Sequence, residues 1–153
     1  MPQLPISRTQ LDRLGKRLAA SDTVSDADYA VLHEVLGTYE EVKLIVLQRL
    51  QDLGFVATGR TKTTGTLVDK LRRERGMGLK SMQDLTGARL EPVGTRVDQD
   101  EAVASIVTGF GGLGAKPPDV TDRRAKPSSG YRAVHIIVMI EKLQAEKIGR
   151  AHV

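Results

Sequence analysis

The spacing of the apolar residues changes at Gly54, and this change limits the fold more than any other feature of the sequence. Before Gly54, apolar side chains recur every three or four residues, which is the period of an amphipathic helix. A long helix capped by Ser25 is therefore predicted, with one apolar face formed by Tyr29, Leu32, Leu36, Tyr39, Val42, Val46, Leu50 and Leu53. Glycine at the end of such a pattern is typical of a helix C-terminus.

A shorter helix precedes this one. Ser7 and Gln10 have the spacing of a capping box, and Leu11, Leu14 and Leu18 follow at helical spacing. We therefore predict an N-terminal helical segment over residues 1–54.

Beyond Gly54 the apolar runs are short, and some of them alternate with polar residues. The pattern predicts a strand ending near Arg60, helices over 64–75 and 98–110, and strands in GARLEPV, at 120–123 and at 131–140. Strands alternating with helices around one sheet indicate an α+β domain, with a mixed β-sheet flanked by helices. We place its core at residues 55–146.

The composition excludes several classes of protein. The chain has 153 residues, of which 40% are hydrophobic, so it has enough apolar material for one core. It has no cysteine, which excludes disulfides and thiolate metal sites. The longest apolar run, IIVMI at 136–140, is too short to span a bilayer, and no signal sequence is evident. We expect a soluble cytoplasmic protein with no membrane partner.

Positive charge is concentrated between Arg60 and Lys80. This segment contains seven basic residues and two acidic ones, so its excess is larger than the net charge of +4 of the whole chain. Such an excess favours a polyanionic partner, either nucleotide phosphates or a nucleic acid backbone. A solvated helix face is the commoner explanation of a basic run.

The strand predicted at 131–140 carries polar residues on one face. Side chains alternate in a strand, so Tyr131 and His135 share a face, roughly 13 Å apart, while Val134, Ile136 and Val138 form the apolar face. Ala133 between the two rings leaves room for a flat ligand. A half-buried packing role is the commoner reading of either ring taken alone. Asp84 could likewise be a ligand of a hard cation such as Mg²⁺ or an ordinary turn residue.

Three motifs in order resemble those of the RelA/SpoT family. They are RTKTTGTLVDKLRRE at 60–74, MQDLTGARL at 82–90 and DRRAKPSSGYRAVHIIV at 122–138. The resemblance covers residues 5–146 and is to the nucleotidyltransferase domain of the small alarmone synthetases. It implies a nucleotidyltransferase-like fold and a reaction in which the β,γ-pyrophosphate of ATP is transferred to the 3′-hydroxyl of GDP or GTP, making (p)ppGpp.

The resemblance also implies roles for individual residues. Arg60 and Arg89 would flank the adenine of ATP. The ATP phosphates would meet three further cations, Lys62, Lys70 and Arg73. Asp84 and Glu146 would hold Mg²⁺, with Glu146 also able to act as the base.

The implied acceptor site lies in the third motif. Tyr131 would stack on the guanine of GDP or GTP, with His135 near the acceptor's phosphates or ribose and Lys126 as a further contact. Ser129 departs from the family pattern, which usually has Asn or His before the GY pair.

The sequence also departs from the family pattern after Glu146. The family continues into a further strand and helices, whereas this chain reads KIGRAHV. Because IGRAHV matches one reading frame of a widely used sequencing adapter, we expect residues 147–153 to be a non-native tail. A core without that strand would be incomplete and its activity impaired, and the helices through which relatives form homo-oligomers would be missing.

Two other functions fit the same motifs. Some relatives of the small synthetases pyrophosphorylate the 3′ end of tRNA instead of a free nucleotide. A non-catalytic module that binds nucleotide or RNA would use the same basic surface. The segment between Arg60 and Lys80 does not distinguish among these partners.

Overall fold

The computed structural model describes residues 3–20, 22–74, 78–79, 86–90, 94–111, 117–122, 124, 134–139 and 147–152. In the last two ranges the structure describes the backbone throughout, but side chains only at Val134 and Ile136. The helices and strands of the described residues are α1 (Arg8–Ala20), α2 (Asp26–Asp52), β1 (Ala57–Thr61), α3 (Thr64–Arg73), β2 (Thr86–Leu90), α4 (Arg96–Phe110), β3 (Asp119–Asp122), β4 (Val134–Met139) and β5 (Lys147–His152).

α1 begins where the sequence predicts, and α2 begins and ends as predicted. The Ser7 amide donates to the Gln10 side chain at 2.9 Å, and the Gln10 amide donates to the Ser7 hydroxyl at 3.2 Å, which completes a capping box. Ser25 caps α2 by accepting from the Asp28 amide. Gly54 follows α2 with a φ of 90°, a conformation that favours glycine.

One residue of the predicted apolar face of α2 is exposed. Tyr29 lies in the first turn and is 42% exposed. In that turn, Arg17 of α1 forms an ion pair with Asp28 at 3.0 Å, so the contact between the helices there is polar. From Leu32 onward the face is buried as predicted, apart from the half-buried Leu53.

The sheet has the order β1-β2-β5-β4-β3. Its β1–β2, β5–β4 and β4–β3 neighbours are antiparallel, whereas β2 and β5 are parallel. α2 packs against β1, β2 and β5, and α4 packs against β4. The predicted α+β fold with a mixed sheet flanked by helices is confirmed.

The hydrophobic core includes residues of the sheet and of α2. Ala88, Leu90, Val134 and Ile136 are buried with the apolar face of α2. Burial of Val134 and Ile136 confirms the face predicted for β4. α1 packs on α3, and Gly15 lets α1 approach Leu79, because a Cβ at residue 15 would lie 2.8 Å from the Leu79 Cβ. No helix in the described part of the chain has the length and apolarity to cross a bilayer.

The strand that the sequence predicted to be missing is present. Lys147–His152 forms β5, between β2 and β4, so the expectation of a sheet without this strand was wrong. The physical reason is that strand pairing uses backbone N–H and C=O groups, which every residue except proline carries regardless of its side chain. The domain boundaries and the non-native origin of residues 147–153 stay predictions.

Candidate functional site

The candidate site lies on the face of the sheet that exposes two arginines. In the β1–β2 register, Arg60 is opposite Gly87, and Arg89 is opposite Thr58. Both arginines are exposed, while Ala88 and Leu90, on the other face of β2, are buried. Arg60 and Arg89 are therefore diagonal neighbours, at about 7–8 Å between Cα atoms. Since Gly87 has no side chain, a planar group has room between the guanidinium groups, which stack readily on flat rings.

The register continues this row of residues across the sheet. Arg89 is opposite His152 on β5, and His152 is opposite His135 on β4. Neighbouring strands lie about 4.8 Å apart, so the backbones at Arg89 and His135 are separated by roughly 10 Å. Position 135 is thus in the same cross-strand row as Arg89.

The remaining basic candidates lie on α3 and just before it. β1 ends at Thr61, so Lys62 lies outside the strand. The alternation of side chains along β1 therefore does not place Lys62 on the same face as Arg60. Thr63 caps α3 by accepting from the Thr66 amide at 3.3 Å. Lys70 and Arg73 share the last turn of α3, where Lys70 is half-buried and Arg73 is exposed.

Four predicted site residues, Asp84, Lys126, Tyr131 and Glu146, lie outside the described residues. The strands next to two of them are described: β2 begins two residues after Asp84, and β5 begins immediately after Glu146. Because β2 and β5 are parallel neighbours, the chain enters both strands from the same end of the sheet. Among the described residues alone, no cluster of three or more Asp, Glu, His or Cys side chains could hold a metal.

A pair of threonines at the same end of the sheet was not predicted from the sequence. Thr61 and Thr86 are opposite each other in the β1–β2 register, with 3.0 Å between their hydroxyl oxygens. The Thr86 hydroxyl is also placed to donate to the Arg60 carbonyl at 3.3 Å. Thr86 is only 1% exposed. Alternation in TGARL would have placed Thr86 on the core face with Ala88 and Leu90, so its burial was predictable.

A second polar contact connects β1 to α2. Lys43 forms an ion pair with Glu40, and this bond, together with a hydrogen bond from the Thr61 side chain, lowers the pKa of Glu40. The Lys43 stem packs against Gly59, where a Cβ would lie 2.8 Å from the Lys43 Cγ. Glycine at residue 59 therefore lets α2 approach β1 closely.

Arg124 forms a polar cluster at the edge of the sheet opposite β1, next to the end of β3. Its guanidinium donates to Asp122 at 2.8 and 3.1 Å, to Asp100 at 2.6 Å and to Gln99 at 3.1 Å. These bonds join the end of β3 to α4. They hold the pKa of Asp122 down at about 2, chiefly through the hydrogen bonds from Arg124, and raise that of Arg124. No spacing in DRRAK distinguishes Arg124 from its basic neighbours, so the sequence alone would not have found it.

Comparisons of the sequence find relatives but no family. No protein-family model matches the chain. Three curated mycobacterial proteins, one from Mycobacterium bovis and two from strains of Mycobacterium tuberculosis, are 31% identical to it over 139 residues and are described as uncharacterized. The alignments cover 86% of this chain, which spans about half the length of these relatives, 49% in each case.

The fold is similar to that of a solved structure. The chain is similar to the small alarmone synthetase 1 from Bacillus subtilis, with a TM-score of 0.54 and 20% identity. The match covers 74% of this chain and 65% of that one. The chain therefore has a fold of the small alarmone synthetase type.

Proposed function

We propose that this chain is a pyrophosphotransferase of the RelA/SpoT type, which moves the β,γ-pyrophosphate of ATP to the 3′-hydroxyl of GDP or GTP. The observation that carries the proposal is the pair of exposed arginines, Arg60 and Arg89, placed diagonally over Gly87 in a fold of the small alarmone synthetase type. Two guanidinium planes with an open space between them suit a purine ring.

ATP is held by its base and its phosphates. The adenine lies between Arg60 and Arg89, where stacking contributes about 1–3 kcal/mol per base. The phosphates extend past the end of β1 toward Lys62 and the two cations of the last turn of α3, Lys70 and Arg73. Phosphoryl-type transfer depends mainly on positioning and on neutralising charge, which matches a site whose described side chains are cationic.

The acceptor nucleotide lies on the β4 side of the same face. Tyr131 stacks on its guanine, while His135 and Lys126 contact its ribose or phosphates. The position of residue 135 in the row of Arg89 supports this arrangement, because a distance of roughly 10 Å between strand positions lets two nucleotides lie side by side.

Asp84 and Glu146 supply the carboxylate oxygens that Mg²⁺ prefers. Their fit is supported by the parallel pairing of β2 and β5, since the segments that carry the two acids enter the sheet at one end. Bound there, Mg²⁺ would neutralise phosphate charge and lower the pKa of the attacking 3′-hydroxyl. A Glu146 carboxylate oxygen accepts the proton of that hydroxyl as the acceptor attacks.

The test is magnesium-dependent release of AMP from ATP, with GDP, GTP or tRNA as acceptor. Arg60→Ala and Arg89→Ala are each compared with the wild type, and Arg13→Ala, an exposed arginine of α1, is the matched control. Loss of a stacking contact of about 1–3 kcal/mol raises the KM for ATP by about fivefold or more, whereas Arg13→Ala leaves it unchanged.

The acceptor arms separate the alternatives. Activity with GDP or GTP supports the proposal, and activity with tRNA alone assigns the chain to tRNA 3′-end chemistry instead. Binding of ATP without AMP release under any condition would assign it to the non-catalytic binding modules. If Arg60→Ala and Arg89→Ala bind ATP as tightly as the wild type, the arginine pair is not the adenine site.

A further inference from the structure

A chain of hydrogen bonds lies at the end of β1, directly before the first basic residue that follows the strand. Thr61 is the last residue of β1 and is opposite Thr86, the first residue of β2. The two hydroxyl oxygens are 3.0 Å apart, and the Thr86 oxygen is 3.3 Å from the Arg60 carbonyl oxygen. Thr61 stands between Arg60 and Lys62 in the chain, so these bonds fix the backbone on which both cations depend.

The number of protons available gives the network a direction. The two hydroxyls carry one hydrogen each, whereas the acceptors are the Glu40 carboxylate, the Thr61 oxygen and the Arg60 carbonyl. An ionised carboxylate is the strongest of these acceptors, so Thr61 donates to Glu40, which Lys43 also contacts. The hydrogen of Thr86 is then shared between the Thr61 oxygen and the Arg60 carbonyl, and Thr86 becomes the donor that ties β1 to β2.

Burial shows that Thr86 occupies a position where an apolar residue would pack. Its neighbours on the same face of β2, Ala88 and Leu90, are apolar and also buried. A buried hydroxyl is costly unless it is hydrogen-bonded, and the acceptors within reach of this one are on β1. In the described residues β1 is an edge strand, paired on one side with β2. The end of an edge strand frays easily, and Thr86 bonds it at its last residue pair.

We infer that Thr86 is a positioning residue that holds Arg60 and Lys62 in the geometry needed to bind ATP. It acts through the end of β1 and does not itself touch the nucleotide. The inference rests on the proposed function, because it requires that these two cations bind ATP.

The experiment is titration calorimetry of ATP on four chains. Thr86→Val removes the hydroxyl and keeps the shape of the side chain, whereas Thr86→Ser keeps the hydroxyl. Thr38→Val is the matched control, because Thr38 is also buried and its hydroxyl also bonds backbone carbonyls, those of Gln3 and Glu34 at 3.3 Å. The loss of one hydrogen bond that orders the site corresponds to a threefold to tenfold weaker affinity for ATP in Thr86→Val. Thr86→Ser and Thr38→Val are expected to bind ATP within twofold of the wild type.

Each outcome decides a separate point. If the wild type binds ATP and Thr86→Val binds it equally tightly, the positioning role is overturned and the proposed function stands. The same holds if Thr86→Val and Thr38→Val weaken ATP binding equally. Absence of ATP binding by the wild type would overturn the proposed function and the role with it. If Thr86→Val does not fold, Thr61→Val, which removes the same bond at a half-buried residue, takes its place, and normal ATP affinity in that variant overturns the inference.

Discussion

Arg124 joins β3 to α4, and Arg124→Gln is expected to lower the free energy of unfolding at pH 7 by about 1–2 kcal/mol. The pKa of Asp122 falls from 3.8 to about 2 in the folded chain, and each pKa unit corresponds to about 1.4 kcal/mol, so roughly 2.5 kcal/mol is the upper limit. Because the Asp122 side chain is 41% exposed, solvent screening reduces this to about 1 kcal/mol. The Asp100 contact, with a carboxylate 58% exposed, adds up to about 0.5 kcal/mol.

The contribution of Asp122 depends on pH in a defined direction. Its pKa is depressed on folding, so the stabilisation is fully present above 3.8 and is lost as the pH falls toward about 2. Roughly half of it is gone at pH 3. Wild type and Arg124→Gln are therefore expected to converge in stability on acidification.

Urea unfolding followed by far-ultraviolet circular dichroism, at pH 7 and in steps down to pH 3, measures this difference. Arg17→Gln is the matched control, because the Arg17 side chain is 54% exposed and pairs with Asp28. It is expected to cost less than Arg124→Gln, about 0.5 kcal/mol at pH 7. An Arg124→Gln difference that is as large at pH 3 as at pH 7 would refute the electrostatic reasoning and point to packing of the arginine stem.

Two glycines and a cap give further predictions, each measured by chemical denaturation against the wild type. Gly37→Ala stabilises the chain by about 0.5–1 kcal/mol, because a Cβ there meets open space in the interior of α2 and alanine is the better helix former. Gly15→Ala destabilises it by about 1–3 kcal/mol despite the same helical gain, since its Cβ would lie 2.8 Å from the Leu79 Cβ and 3.1 Å from the Leu79 amide nitrogen. Equal effects of the two substitutions would contradict the close approach of α1 to Leu79. Ser25→Ala removes the acceptor of the Asp28 amide at 3.1 Å and costs about 1 kcal/mol, and an unchanged urea midpoint would show that water replaces the cap.

Much of the fold was predictable because local chemistry decided it. The caps at Ser7 and Ser25 fixed the starts of α1 and α2, and the glycine at residue 54 fixed the end of α2. Alternation assigned Val134 and Ile136 to the core face of β4. The exposure of Tyr29 was not predictable, because a local pattern does not show which part of a helix face another element covers.

The candidate site was predictable only in part. The motifs indicated Arg60 and Arg89 by resemblance, but their placement across Gly87 depends on the register of β1 against β2, two strands that α3 separates in the chain. The strand at Lys147–His152 was missed because its residues do not resemble the family's strand, while its pairing uses the backbone. Arg124 was missed because its partners on α4 are more than twenty residues away in sequence.

The parallel pairing of β2 with β5 divides the sheet into two sections. One is the antiparallel β1–β2 pair, which carries Arg60 and Arg89, and the other is the β3–β4–β5 section, which carries residue 135. They are joined by the pairs Gly87↔Arg150, Ala88↔Ala151 and Arg89↔His152, and by α2, which packs against both. Hydrogen exchange should therefore report this seam opening at a lower free energy than the antiparallel β4–β5 pairs beside it. In the proposed two-nucleotide site, the donor lies on one section and the acceptor on the other, so the pairing of β2 with β5 sets the distance between them.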